Sequence, residues 1–198
     1  MTAKGDTRQE ILERAAELLQ ERGFNAFSYK DISTHLGIKN AAVHYHFPTK
    51  SDLGAALMRR YRERFDAWVA ELEVRHAGDP VKQLEGYMAV PMSYLRNGGK
   101  VCPIGVVEAE FDAIPEAMRE ETRAFDARSR AWLAGVLEDG RASGVFHFAG
   151  PAADKALLIT AALQGALQVA RAGGIRLFFA AMRQIKRDLG VEATVPTG

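Results

Sequence analysis

Residues 27–53, F-S-Y-K-D-I-S-T-H-L-G-I-K-N-A-A-V-H-Y-H-F-P-T-K-S-D-L, decide the reading of this chain. Their apolar positions are Ile32, Leu36, Ile38, Val43 and Phe47. Ile32 and Leu36 are four residues apart and share one helical face, as do Val43 and Phe47. Between the two pairs Gly37 supplies the positive φ that a tight turn requires, and Ile38 plugs the corner. Ser33 is small where two helices must approach closely. Two short helices joined this way make a helix-turn-helix, whose second helix is held out as a rod for the major groove of DNA. Along that rod lie Lys39, Asn40, Ala41, His44, Tyr45 and His46, followed by Lys50. Small, hydrogen-bonding and aromatic side chains of this kind suit base edges and phosphates.

Helix signals continue on both sides of the stretch. Over residues 7–22, Ile11, Ala15, Leu18 and Leu19 recur at helical spacing, with Thr7 and Glu10 as a capping box and Gly23 as a C-terminal cap. Ser28 with Asp31 and Thr49 with Asp52 repeat the start signal, and a further start falls near Asn40. Beyond residue 50 the pattern predicts longer helices, over about 51–73, 81–96, 115–141, 151–172 and 175–189. Two-residue alternation is nowhere sustained, and residues 145–148 are too few to carry a sheet. The expected fold is all-α, with a three-helix domain over 1–48, a larger helical domain over 49–198 and a frayed tail from Ala193.

Composition narrows the function. The chain has 198 residues, 47% apolar and 26% charged, the balance of a globular protein. Twenty-six Lys and Arg against 25 Asp and Glu leave a net charge of +1, so any DNA-binding site must be local. A single cysteine, Cys102, forms no internal disulfide, and the polar N-terminus predicts a cytoplasmic address. Gln164, Gln168 and Arg171 interrupt the most apolar stretch, so no membrane partner is expected.

The run from Phe27 to Leu53 resembles the DNA-binding domain of the TetR family of transcriptional regulators. The similarity includes the preceding Gly23-Phe24, the turn glycine, the aromatic-His-Phe ending of the second helix and the lysine that opens the fourth. Two positions depart from the family pattern: His44 stands where tyrosine is common, and Lys39 where a capping Ser or Thr is common. The resemblance implies a homodimer on a palindromic double-stranded operator, with half-sites about 34 Å or more apart. It also implies that a small molecule, bound by the C-terminal part, releases the DNA. Repressor is the expected sign. An activator of the same fold is the alternative, since the sign depends on where the operator lies relative to a promoter.

On this reading Asn40, Ala41, His44 and Tyr45 are the expected base readers, with Ser28, Lys30, His46 and Lys50 on phosphates. Helix positions 44 and 46 diverge by roughly 200° and no cysteine or second-turn histidine completes a set, so no metal or other cofactor is expected. Trp68, Tyr87, Met88, Met92, Phe111, Phe125 and Trp132 are candidates for a chamber that takes an apolar or aromatic effector, although such residues also simply fill cores. Ala161, Ala162, Gly165, Val169, Phe178 and Met182 are candidates for the seam between two chains, the alternative being intramolecular packing. Glu108, Glu110 and Asp112 cluster near Cys102 but show no nucleophile–base set, and no enzyme is expected. Cys102 has two readings. Before a helix starting near Pro103 and two residues from Lys100, it is a sensing thiolate in one and an inert small hydrophobe in the other.

Overall fold

The computed structural model describes residues 4–96 and 101–191. Lys100 and the tail from Ala193 lie outside that range. Among the described residues there are nine α-helices, one 3-10 turn and no strand, which makes the chain all-α as expected. The helices are α1 (Lys4–Arg22), α2 (Tyr29–Leu36), α3 (Asn40–His46), α4 (Lys50–Arg75), α5 (Pro80–Arg96), α6 (Pro103–Ala109), α7 (Glu116–Ala142), α8 (Ala152–Gly173) and α9 (Ile175–Asp188). Helix α1 begins a turn before Thr7, so Thr7 lies inside the helix instead of capping it.

The chain divides into two compact units. One holds the described residues up to Phe65 together with Val101–Asp126; the other holds the described parts of 66–100 and 127–198. The three N-terminal helices therefore share a core with the first half of α4, with α6 and with the start of α7. Ile11, Leu18, Phe24, Ile32, Val43, Phe47, Leu57 and Met118 are all at most 2% exposed in it. Burying that much apolar surface, at about 25 cal/mol per Å², is what holds two helices of eight and seven residues, each too short to persist alone.

Local chemistry sets where α2 and α3 begin and end. At α2 the Ser28 N–H and hydroxyl both donate to the Asp31 carboxylate, at 2.8 and 2.7 Å. Gly37 ends the helix with φ +65°, and the N–H groups of Gly37 and Ile38 bond back to Thr34 and Ser33 carbonyls in a Schellman turn. Helix α3 has no side-chain cap; Lys39 occupies the position with extended backbone. At α4 the full capping box is present: Thr49 donates twice to Asp52, and the Asp52 N–H returns to the Thr49 hydroxyl at 3.1 Å.

In the second unit α8 packs on α5 and α9. Among the described residues α8 is the one helix long and apolar enough to cross a membrane, at 22 residues and a mean hydropathy of 1.2 in its most apolar window. Ala156, Ile159, Leu163, Leu167 and Ala170 form its buried side. Leu157, Leu158 and Val169 are exposed on the other.

Candidate nucleic-acid interface

Helix α3 is pinned by Val43 and Phe47, both within 2% of full burial. At about 100° per residue, Ala41 and Tyr45 lie on the side opposite Val43, with Asn40 and His44 on one border and His46 on the other. Asn40, Ala41, His44 and Tyr45 are exposed, Tyr45 at 66%, and His46 is half-buried with its ring edge-on to Tyr45. The four expected base readers thus form one continuous outward face.

Behind that face, Tyr29 ties α2 to the exit of α3. Its hydroxyl donates to the Phe47 carbonyl at 2.8 Å in a buried bond. Burial, aided by the Asp52 charge, pushes its pKa up to about 12, so the hydroxyl stays a donor. The His44 ring lies edge-on to Tyr29 with centroids 4.6 Å apart, and its Nδ1 is 3.3 Å from the Pro48 carbonyl.

The phosphate candidates fare differently. Lys30 is exposed and shares an open groove with Arg22, Ser28, Thr34 and His35. Ser28 lines the same groove, but both its hydrogens are committed to Asp31. Lys50 requires a correction. Its ammonium turns inward, donates to the Phe24 carbonyl at 2.7 Å and stands 4.7 Å from the ring centroids of both Phe24 and Phe27. Burial lowers its pKa. In this conformation the half-buried Lys50 spends its ammonium on the N-terminal core.

Two residues that the sequence did not single out for this role complete the N-terminal unit. Glu110, after α6, accepts from the Phe24 N–H, the Asn25 N–H and the Asn25 side-chain amide at 3.0, 3.2 and 3.0 Å. It sits so close to Gly23 (φ +86°) that a Cβ there would fall 1.8 Å from the carboxylate. Arg8 places its guanidinium 5.0 Å over the Phe47 ring, at the end of α3. No local signal gives either contact; both depend on tertiary placement.

The surroundings of Cys102 favour the inert of its two readings. It precedes α6, and the N–H groups of Ile104 and Gly105 there do favour a thiolate. Burial against the N-terminal core outweighs them, and Glu108 opposes them too, so the thiol is pushed above its ordinary range. Lys100, the expected helper, lies outside the described residues.

The effector candidates split between the two units. Trp68, Tyr87 and Trp132 form a ring cluster in the second, at 5.6 and 5.9 Å between centroids. There the Tyr87 hydroxyl meets Ser129 and Thr160 at 3.3 and 3.1 Å, and Trp132 donates to Glu73. Met88 is fully buried and Met92 half-buried in the same unit. Phe111 and Phe125 belong to the first unit, where Phe125 packs edge-on to Phe65 and Arg123 lies over Phe111. Of the seam candidates, Ala161, Gly165 and Val169 are exposed and Ala162 and Met182 half-buried. Phe178 is fully buried inside its own chain, so it packs beneath that face and cannot be part of it. Among the described residues no three His, Cys, Asp or Glu side chains gather as a metal site.

Comparison with known proteins agrees with this geometry. Residues 11–57 match the family model for bacterial regulatory proteins of the tetR family. A crystal structure of a TetR-family transcriptional regulator from Agrobacterium tumefaciens is 35% identical, covers 93% of this chain and 98% of its own, and superposes with a TM-score of 0.88. The chain belongs to the TetR family. A TetR regulator from Legionella pneumophila is 26% identical over 96% of this chain and 98% of its own, at a TM-score of 0.84. The transcriptional repressor KstR2 of Mycolicibacterium smegmatis is 26% identical over 71% of this chain and 67% of its own. TetR-family membership accounts for the helix-turn-helix and the helical second unit, and makes the chain a transcriptional regulator.

Three outcomes are expected. Lys50→Met should lower stability by roughly 1–3 kcal/mol through the lost charge-assisted bond and ring contacts, read from the urea midpoint. Lys30→Ala should leave that midpoint in place and reduce the slope of log affinity against log salt by about one. For Cys102, iodoacetamide should react with native protein more slowly than with a free cysteine at neutral pH, and accelerate only above the ordinary thiol range. A native rate matching or exceeding that of the free thiol would restore the sensing-thiol reading.

Proposed function

We propose that the chain is a homodimeric repressor that leaves a palindromic operator when a small molecule occupies its second helical unit. The observation that carries this reading is the exposed face of Asn40, Ala41, His44 and Tyr45 on a helix whose opposite side is locked into the core. Two such helices related by a two-fold axis would enter successive major grooves, with Lys30 at the flanking phosphates. The relative KstR2 is named a repressor, which supports the sign.

Pairing has its own support. Leu157, Ala161, Gly165 and Val169 follow one another at four-residue spacing along α8, and all are exposed, as are Ile175 and Leu177 on α9. Apolar and small side chains on adjoining helices suit a four-helix seam with a second copy. The Trp68–Trp132–Tyr87 cluster, with buried Ser129 beside the Tyr87 hydroxyl, supports an apolar or aromatic effector carrying few polar groups. An effector acts by binding the state that does not fit DNA better than the state that does.

Selection from a random duplex pool should return an inverted repeat bound by the full chain; recovery without any enriched repeat would sink the proposal. Gly165→Glu tests the seam cleanly. A Cβ at Gly165 meets nothing within 4 Å of its own chain, and glutamate is the better helix former. The variant should therefore stay folded, while burying an unpaired carboxylate between copies costs roughly 3–5 kcal/mol. Sedimentation at micromolar concentration should show monomer, and a persistent dimer would exclude this face.

A further inference from the structure

Consecutive carbonyls at the exit of α3 fix the chemistry that His44 presents. Phe47 accepts from the Tyr29 hydroxyl, and the next carbonyl, that of Pro48, lies 3.3 Å from His44 Nδ1. A carbonyl oxygen only accepts, so Nδ1 carries the hydrogen, and in the neutral ring Nε2 is left with a lone pair. Tyr29, locked by its own buried bond, holds the ring plane from the side. The result is a pre-oriented imidazole, exposed on the border of the α3 face beside Asn40.

The geometry points to His44 as a specificity-determining acceptor: Nε2 takes a hydrogen bond from the exocyclic amino group of a cytosine or adenine in the major groove. This rests on the DNA-binding reading above and deepens it. Each base pair offers one amino donor in that groove, on C N4 or A N6, and its position across the groove differs between the four pairs. A fixed acceptor therefore selects identity and orientation at once. Tyrosine, common at this position in the family, carries a rotatable hydroxyl that donates as well as accepts and makes no such choice.

The test uses the full chain and its selected operator at a pH above the ordinary imidazole range. His44→Phe keeps a ring against Tyr29 and removes both nitrogens. It should flatten preference at one base pair per half-site, by about fivefold, the size of one ordinary hydrogen bond. At that pair, pyrimidin-2-one in place of cytosine, or purine in place of adenine, deletes the amino group. Wild type should bind the deleted operator about fivefold more weakly than the intact one, and His44→Phe should bind both alike. A 7-deazapurine at the same pair, which removes an acceptor, should leave wild-type affinity unchanged. The inference is overturned by a selected sequence that His44→Phe does not alter. It is also overturned if amino deletion weakens both proteins equally, or if only the deaza substitution matters. Absence of any inverted repeat with wild-type protein overturns the proposed function and this inference together; the other outcomes overturn this inference alone.

Discussion

The turn from α1 to α2 is gripped from both sides by charged groups that arrive from elsewhere in the chain. The Glu110 carboxylate takes the N–H groups of Phe24 and Asn25 and the Asn25 side-chain amide, while the Lys50 ammonium takes the Phe24 carbonyl. Glu110 is 86 residues from Phe24 and Lys50 is 26. The part-buried N–H and carbonyl of Phe24 cannot be left unpaired without a penalty of about 1–3 kcal/mol each. The clasp therefore sets the direction in which α2 leaves α1. Since α2 carries Tyr29, and Tyr29 holds the exit of α3, the orientation of the reading face descends from that turn. Glycine suits position 23, because another residue would be strained at its positive φ and would push the Glu110 carboxylate, 1.8 Å from a would-be Cβ, out of the clasp.

Much of this was legible in sequence wherever the determining contact is local. The capping boxes at Ser28–Asp31 and Thr49–Asp52 close over three residues, and the Gly37 turn closes over five, so residue types at fixed offsets suffice to place them. Four-residue spacing likewise identified Ile32, Val43 and Phe47 as core. The direction of a long flexible side chain was beyond that reach. Lys50 sits at a helix start, where a phosphate contact is the natural expectation, and it turns inward because Phe24 and Phe27 offer ring faces and a carbonyl. Cys102 stayed open between two readings for the same reason: its helix N-terminus was correctly placed, but whether the thiol is covered by a core cannot be read along the chain. The aromatic candidates show the limit of composition, since Phe111 and Phe125 look like Trp68 and Trp132 in sequence and belong to another compact unit. Phe178, Phe179 and Met182 share the apolar side of α9, and spacing alone could not say which of them the chain's own core takes, as it does Phe178.

On the proposed reading, charge gives a reason for binding DNA as paired half-sites. Its net charge is +1, and several of its arginines are held by carboxylates of the same chain. Arg14 pairs with Glu17, Arg60 with Glu13, Arg59 and Arg62 with Glu121, and Arg119 and Arg123 with Glu116. Burial raises the Glu121 pKa, yet the two guanidinium groups keep it below the usual carboxylate range, so that charge stays in place. Such pairs cancel locally and add little to a field that would draw in DNA from a distance. On the proposed reading, the cations near the reading helix that can neutralise phosphates include Lys30, Arg22 and Lys39, and Arg22 already shares a 3.7 Å contact with Asp31. A seven-residue helix exposing four proposed readers offers discrimination but little area. On the proposed reading, joining two chains makes the second reading event intramolecular, and its effective concentration compensates for weak contacts in each half-site. On that reading the exposed leucines of α8 and the exposed face of α3 are parts of one requirement: a near-neutral chain gains selective DNA affinity by binding as two.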